Sequence, residues 1–207
     1  GKVIAWYDLI PVVSYLVLRG RCRYCHCKIP VRGFFIEIFG GVIGVFCFYR
    51  FGFEYETILM FVIAMILLAI TMIDFDTMTI PDGLNMTMFL VCLVLMFVRQ
   101  MSLVDSIIGM FCISLPMFLL NLVIPDSFGG GDIKLMFASG IALGWKYSLL
   151  AAFIGILIAG IYCIYLILTK KVDKKGHIAF GPYLSIGIFI ALCYGYEIIS
   201  WYLNLLM

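Results

Sequence analysis

The sequence predicts an all-α polytopic membrane protein with about seven transmembrane helices and a cytoplasmic, basic N-terminal loop. Three observations carry the prediction. The 207 residues are 65% hydrophobic and 13% charged, where soluble domains average about 25% charged, and mean hydropathy is +1.16. The apolar residues collect in seven runs. Lysine and arginine concentrate on alternate connections, as the positive-inside rule requires of spanning helices. A soluble core does not need this much apolar residue, so the apolar surface is expected to face lipid and neighbouring helices. The net charge of +2 names no partner, and no tract suited to nucleic acid is visible.

Residues 1–32 come first. The stretch 3–18 is apolar but short, and Asp8 and Pro11 interrupt it. A spanning helix wants about 20 residues, so this part reads as an interfacial helix or a partly buried segment. The chain then turns strongly basic, with Arg19, Arg21, Arg23, Lys28 and Arg32. The expected division is a cytoplasmic Cys-containing loop at 1–32 and a transmembrane domain at 33–207. The seven runs lie at 34–49, 57–73, 84–98, 104–124, 133–144, 148–168 and 181–203. The fifth is short and is expected to continue through Gly144-Trp145 into the sixth as a tight hairpin.

With 1–32 in the cytoplasm, the connections 74–83, 125–132 and 169–180 lie on the same side. Those loops and their flanks hold Lys2, Arg19, Arg21, Arg23, Lys28, Arg32, Lys134, Lys170, Lys171, Lys174 and Lys175. The opposite side holds Arg50, Arg99 and Lys146, so the bias is eleven against three. It places Asp74 and Asp132 on the cytoplasmic side, although neither residue was used to assign it.

Asp74, Asp76 and Asp82 fall within nine residues, in a chain with twelve acidic residues. Carboxylates at the edge of a bilayer are costly and usually have a task. Asp74 ends the second run, just inside the expected membrane boundary. On a helix, positions 74 and 76 point to different faces, so Asp76 is expected to be a supporting acid. Asp82 follows Pro81 and precedes Gly83, a turn signal, and is placed to cap the helix of the third run. Asp132 follows Gly129-Gly130-Gly131. Consecutive glycines permit dihedrals closed to other residues and let backbone approach backbone. Such a loop can bring Asp132 to a partner helix and leave an extended edge for a substrate strand. A plain connecting loop with Asp132 as a helix cap accounts for the same residues.

Two carboxylates within hydrogen-bond reach share one proton. One then acts as base on a water while the other donates to a carbonyl oxygen, which hydrolyses a peptide without a covalent intermediate. No Ser-His-Asp set competes, since His26 and His177 both lie in basic loops. Lys134 is placed to hold an Asp ionised, to orient a substrate carbonyl, or to anchor the helix at the interface. Glu37, early in the first run, is expensive there unless it pairs with Arg32 or Arg50 or reaches the surface.

Cys47, Cys92, Cys112, Cys163 and Cys193 lie singly in apolar runs, where a free thiol behaves as a small hydrophobe. Cys22, Cys25 and Cys27 cluster in the basic loop. A Cys-x-x-Cys in a cytosolic loop reads as metal-binding or redox rather than as a disulfide. A closed structural zinc wants four ligands. Cys22 and Cys25 supply two, and the consecutive Cys25, His26 and Cys27 make a strained set. Either a partner pair precedes Gly1 or the cysteines are free.

With these residues in place, the chain resembles the prepilin leader peptidases, the GxGD-type aspartic membrane peptidases and N-methyltransferases of type IV pilus, type II secretion and competence systems. Tyr7-Asp8-Leu9-Ile10-Pro11-Val12-Val13-Ser14-Tyr15-Leu16 and Leu18-Arg19-Gly20-Arg21-Cys22-Arg23-Tyr24-Cys25 are similar to the cytoplasmic loop of the bifunctional members. Glu37 matches the Glu that follows that loop. Ile73-Asp74 with Ile80-Pro81-Asp82 resembles the first aspartate motif, and Gly129-Gly130-Gly131-Asp132-Ile133-Lys134 the Gly-x-Gly-Asp motif. Phe180-Gly181-Pro182-Tyr183 is similar to the segment leading into the last helices.

The resemblance implies that Asp74 and Asp132 are the catalytic pair, with Lys134, Asp76, Asp82, Gly129, Gly131 and Glu37 in supporting or substrate-binding roles. It implies cleavage, without a cofactor, of a short basic Gly-ending leader from prepilins or pseudopilins, at the cytoplasmic face of the bacterial inner membrane. A basic leader suits the acidic cluster of Asp74, Asp76 and Asp82. The resemblance also implies methylation of the new N-terminus with S-adenosylmethionine by the cysteine loop, and zinc at Cys22 and Cys25. Family members have eight spans and two Cys-x-x-Cys pairs, so the missing helix and pair would precede Gly1. Two other functions fit intramembrane acids. A proton-coupled transporter would use Asp74 and Asp132, but transporters place such acids near the midplane, often between repeated halves, and no repeat is visible. A non-enzymatic scaffold of a secretion machine would need neither acid.

Overall fold

Proline and glycine set the layout of the N-terminal part. The computed structural model describes residues 5–125, 127–169 and 179–206, which fall into two compact units, Gly1–Phe53 and Glu54–Met207. Where one interfacial helix was expected, the first unit has a 3-10 turn, Trp6–Leu9, and a five-residue helix α1, Val13–Val17. Pro11 lies between them and lacks the amide that a continuous helix needs. A hairpin follows, closed by an antiparallel bridge between Arg21 and Lys28. Within it the Cys22 N–H donates to the Cys27 carbonyl at 2.9 Å. Pro30 then leads into α2, Val31–Phe51. Gly52 stops that helix at φ 72°, its N–H returning to the Phe48 carbonyl at 2.9 Å, a left-handed ending that glycine tolerates best. Stacked Tyr15 and Phe34 rings, 4.6 Å apart, and an Arg23–Asp8 ion pair at 2.7 Å tie the loop together.

The second unit is built from α3 Tyr55–Thr77, α4 Asp82–Val98, α5 Leu103–Val123, α6 Gly130–Leu168 and α7 Gly181–Leu206. All seven predicted runs fall on helices, the fifth and sixth both on α6. The expected hairpin sits at Gly144, whose φ 66° and ψ 177° break α6 in two. That conformation is essentially closed to residues with a Cβ. The chain reverses there. Before the break, Gly140 meets Gly109 and Gly144 meets Asp105, so the segment 130–143 runs antiparallel to α5. After it, the Cys112 thiol reaches the Trp145 carbonyl at 3.7 Å, while Ala152 and Ile156 share a cavity with Met117 and Leu120, so 145–168 runs parallel to α5.

α6 packs on α4, α5 and α7, and α3 packs on α4 and α7. The tightest crossings use the smallest residues. A Cβ on Gly109 would lie 2.4 Å from the Gly140 carbonyl, and one on Gly187 would lie 2.2 Å from the Ala151 carbonyl. Without a hydrophobic drive between helices in lipid, such close backbone approach supplies the packing energy. The side of α5 away from these contacts exposes Phe111, Leu115, Phe118, Leu119 and Leu122. α2, α3, α5, α6 and α7 are long and apolar enough to cross a membrane, and α4, at 17 residues, is shorter. The protein is an all-α polytopic membrane protein. Lys2, Lys170, Lys171, Lys174 and Lys175, part of the orientation argument, and His177 lie outside the described residues.

Candidate active site

α3 ends because Met78 takes a left-handed conformation, φ 53°, and returns its N–H to the Asp74 carbonyl at 2.9 Å. Asp74 is therefore in the last turn of α3, facing inward and 4% exposed, while Asp76 is exposed. The expected divergence of the two side chains holds. The Asp74 carboxylate accepts the Gly181 N–H at 3.0 Å, at the first residue of α7.

Asp132 sits in the first turn of α6 and is 7% exposed. The loop before it is braced by Asn121 on α5. That side chain accepts the Phe128 N–H and the Ser127 hydroxyl, each at 3.0 Å, and donates to the Phe128 carbonyl at 3.0 Å. The three glycines are not equivalent. A Cβ on Gly129 would lie 2.9 Å from Asp132 Oδ2, and one on Gly131 would lie 2.7 Å from the Ile80 Cβ. A Cβ on Gly130 would meet nothing within 4 Å. The outer two glycines are required by space and the middle one is not, which is the pattern Gly-x-Gly-Asp.

Ile80, itself 8% exposed, wedges between the two halves. It touches Gly131 on one side, and its Cδ1 would lie 3.1 Å from a Cβ on Gly181. The arrangement draws α3, α6 and α7 together at one end of the bundle. The Asp132 carboxylate lies against Gly129, with Oδ2 2.9 Å from where a Cβ on that glycine would sit. Its Oδ1 is buried and has no hydrogen-bond partner among the described residues.

The other expected site residues separate into groups. Asp82 is the first residue of α4, and Pro81 holds the capping position. The expectation that Asp82 caps this helix is corrected: its side chain turns instead to Lys134, with Nζ 2.6 Å from Oδ1 in an exposed pair. Lys134 is thereby directed to Asp82. Glu37, within the first unit, accepts the Val12 N–H at 2.7 Å. That bond helps hold Val12 at φ 61°, an uncommon conformation for a β-branched residue. Cys22 is half-buried, and Cys25 and Cys27 are exposed. Among the described residues no three His, Cys, Asp or Glu side chains converge on a point that could hold a metal. Cys22 and Cys25 supply two of the four ligands a closed structural zinc wants.

The sequence reading held Ile80 and Gly181 only as members of quoted motifs, without a role of their own, and did not single out Asn85. Asn85, on α4, is 5% exposed and donates to the Gly131 carbonyl at 3.3 Å. The signals were slight: a glycine before a proline at the start of an apolar run, and single residues in a helix and its approach.

A bundle of apolar helices with two buried aspartates, from different helices, at one end defines a class, the polytopic membrane proteins. Within it the chain belongs to the type IV leader peptidase family, which its residues 61–164 match. Residues 1–51 match the bacterial peptidase A24 N-terminal domain. The chain is similar to the prepilin leader peptidase/N-methyltransferase of Aeromonas salmonicida (strain A449), 31% identical over 96% of this chain and 70% of the relative. It is likewise similar to the proteins of that name from Aeromonas hydrophila, 32% identical over 94% and 69%, and Legionella pneumophila, 32% identical over 99% and 73%. No solved structure matches it. The chain is a peptidase.

Proposed function

We propose that the chain is an aspartic endopeptidase that cleaves the basic leader of prepilins or pseudopilins, using Asp74 and Asp132. The observation that carries this reading is that two buried carboxylates, Asp74 in the last turn of α3 and Asp132 in the first turn of α6, lie at the same end of the bundle, linked by Gly181, Ile80 and Gly131. Two such carboxylates share a proton. Asp74, which already accepts the Gly181 amide, is assigned the base, and Asp132 carries the shared proton. Asp74 takes a proton from water, and the water oxygen bonds to the scissile carbonyl carbon. Asp132 gives its proton to the carbonyl oxygen. The resulting diol collapses: the C–N bond breaks, the amine leaves with the proton from Asp74, and one hydroxyl proton returns to Asp132. Both acids end as they began, and no cofactor enters.

The remaining assignments follow from position. Gly129 and Gly131 let the loop reach α3. Asp76, Asp82 and Lys134 form the charged rim beside the pair, where the acids attract a basic leader. Glu37 holds the first unit together. The functional division proposed is a cytoplasmic cysteine loop at 1–32 and a transmembrane peptidase domain at 33–207. The active site faces the cytoplasm of a bacterial inner membrane, on the basic side of the bundle. A transporter is the poorer reading, because the acids lie in terminal turns of their helices, away from the midplane.

Asp74→Asn and Asp132→Asn are each expected to abolish cleavage of a prepilin while the protein still inserts. Normal cleavage by either variant would refute the pair. A second reaction, methylation of the new N-terminus by S-adenosylmethionine, is favoured by one observation: the matched relatives carry N-methyltransferase in their names. Methyl transfer from labelled S-adenosylmethionine to cleaved product tests it.

A further inference from the structure

Asn85 lies in the first turn of α4, 5% exposed, against the loop that carries Asp132. Its Nδ2 donates to the Gly131 carbonyl at 3.3 Å. A carbonyl only accepts, so this contact fixes which way the carboxamide points and turns Oδ1 to the other side. Oδ1 is buried, and no group among the described residues donates to it. Buried acceptors are rarely left this way, because the lost hydration is not offset. Asp132 Oδ1, one residue beyond the carbonyl that Asn85 holds, is in the same condition. Among the described residues, the other unpartnered buried side-chain atoms are the hydroxyls of Ser106, Ser148 and Ser185. A hydroxyl can serve as donor or acceptor, whereas an amide oxygen only accepts.

Two open acceptors thus flank the Gly131–Asp132 peptide. Gly129 and Gly130, in the same loop, are exposed, so the loop itself lies at the surface. The ligand that matches is a donor carried on a chain. An extended peptide presents one N–H per residue along its edge.

We propose that Asn85 is a substrate-binding residue: its Oδ1 accepts a backbone N–H of the peptide segment next to the bond being cut, while its Nδ2 holds the loop that carries Asp132. The proposal rests on the peptidase reading above. It gives Asn85 a specificity that no side chain of the substrate supplies, because it reads backbone.

The test is an ester scan. Prepilin peptides are made with each amide near the cleavage point replaced in turn by an ester, which removes one N–H. Cleavage is measured with the unchanged protein and with Asn85→Ala. For the unchanged protein, one ester position is expected to lower kcat/KM about tenfold. Asn85→Ala is expected to lose about tenfold on the all-amide peptide and to show little further loss with that ester. Losses that simply multiply at every position would overturn the proposal, since a residue that only braces Gly131 gives that result. If Asn85→Ala fails to insert, the scan on the unchanged protein decides alone: no position losing more than about twofold overturns the proposal. Absence of any cleavage of the all-amide peptide refutes the peptidase reading itself, whereas cleavage with multiplying losses refutes only the role of Asn85.

Discussion

The two ends of the bundle in residues 54–207 treat their polar groups in opposite ways. At one end Arg99, following α4, donates to Glu56 Oε1 from Nε at 2.8 Å and from Nη2 at 2.6 Å, and to the Leu192 carbonyl at 3.3 Å. One guanidinium joins α3, α4 and α7. At the other end Asp74 holds one backbone amide, while Asp132 Oδ1 and Asn85 Oδ1 hold nothing among the described residues. A charge that is fully engaged serves packing. Buried acceptors left open serve something that arrives later. The contrast is between these charged and amide groups, since the buried hydroxyls of Ser106 and Ser148, at the same end as Arg99, also lack a hydrogen-bond partner among the described residues.

The largest effects should come from the open end. Asp74→Asn and Asp132→Asn each remove a proton-transfer group, which contributes about 10²–10⁴-fold to rate. In the proposed mechanism both act on one shared proton, so either change is expected to lower prepilin cleavage at least about 10³-fold. The double variant should lose little more. Initial rates on purified, inserted protein measure this. A double variant whose loss is the product of the single losses would mean the two acids work separately.

Gly181→Ala comes next. Its Cβ would lie 2.8 Å from Asp74 Oδ2 and 3.1 Å from Ile80 Cδ1, so the carboxylate must move. Misplacement of about 1 Å can cost about 10²-fold in rate, and a loss of that order is expected in kcat, with the thermal melt in detergent little changed. Gly130→Ala, which meets nothing, should keep its activity. Equal activities for the two variants would remove the backbone amide from the account of the site.

These residues also mark how far the sequence could be read. The helices were legible because apolar runs and the basic bias report directly on lipid contact. The hairpin at Gly144 was legible because only glycine tolerates φ 66° with ψ 177°. Asp74 and Asp132 could be paired because two costly acids fell on one side. Gly181 could not be found in the same way, since it acts through its N–H, which every residue except proline possesses. Asn85 carries no sequence signal of its own, and Ile80 stood out only as part of the first aspartate motif. Their roles come from which segments the bundle brings together. In the first 32 residues the interruption at Pro11 was legible, but the split into a 3-10 turn and a five-residue helix on either side of it was not.

At the closed end, Glu56→Gln should change stability rather than rate. It leaves Arg99, 22% exposed at its side chain, without its charged partner. Hydrogen bonds to charged groups contribute about 1.5–3 kcal/mol, so a lower melting temperature is expected with kcat/KM of the surviving enzyme within about twofold. A Glu56→Gln protein that melts normally but cleaves slowly would erase the distinction between the two ends.

The smallest effect is expected at the exposed rim of the reactive end. Asp82 and Lys134 form a pair exposed on both sides, 75% and 57%, of the kind that contributes about 0–1 kcal/mol. Asp76 is exposed as well. Their charges act at a distance on a basic leader and are screened within about 8–10 Å at moderate salt. Asp76→Asn combined with Asp82→Asn should therefore raise KM a few-fold at low ionic strength, leave kcat in place, and lose its effect near 1 M salt. A KM that rises equally at low and high salt would point to direct contact with the substrate. The rim would then belong with the buried acceptors rather than beside them.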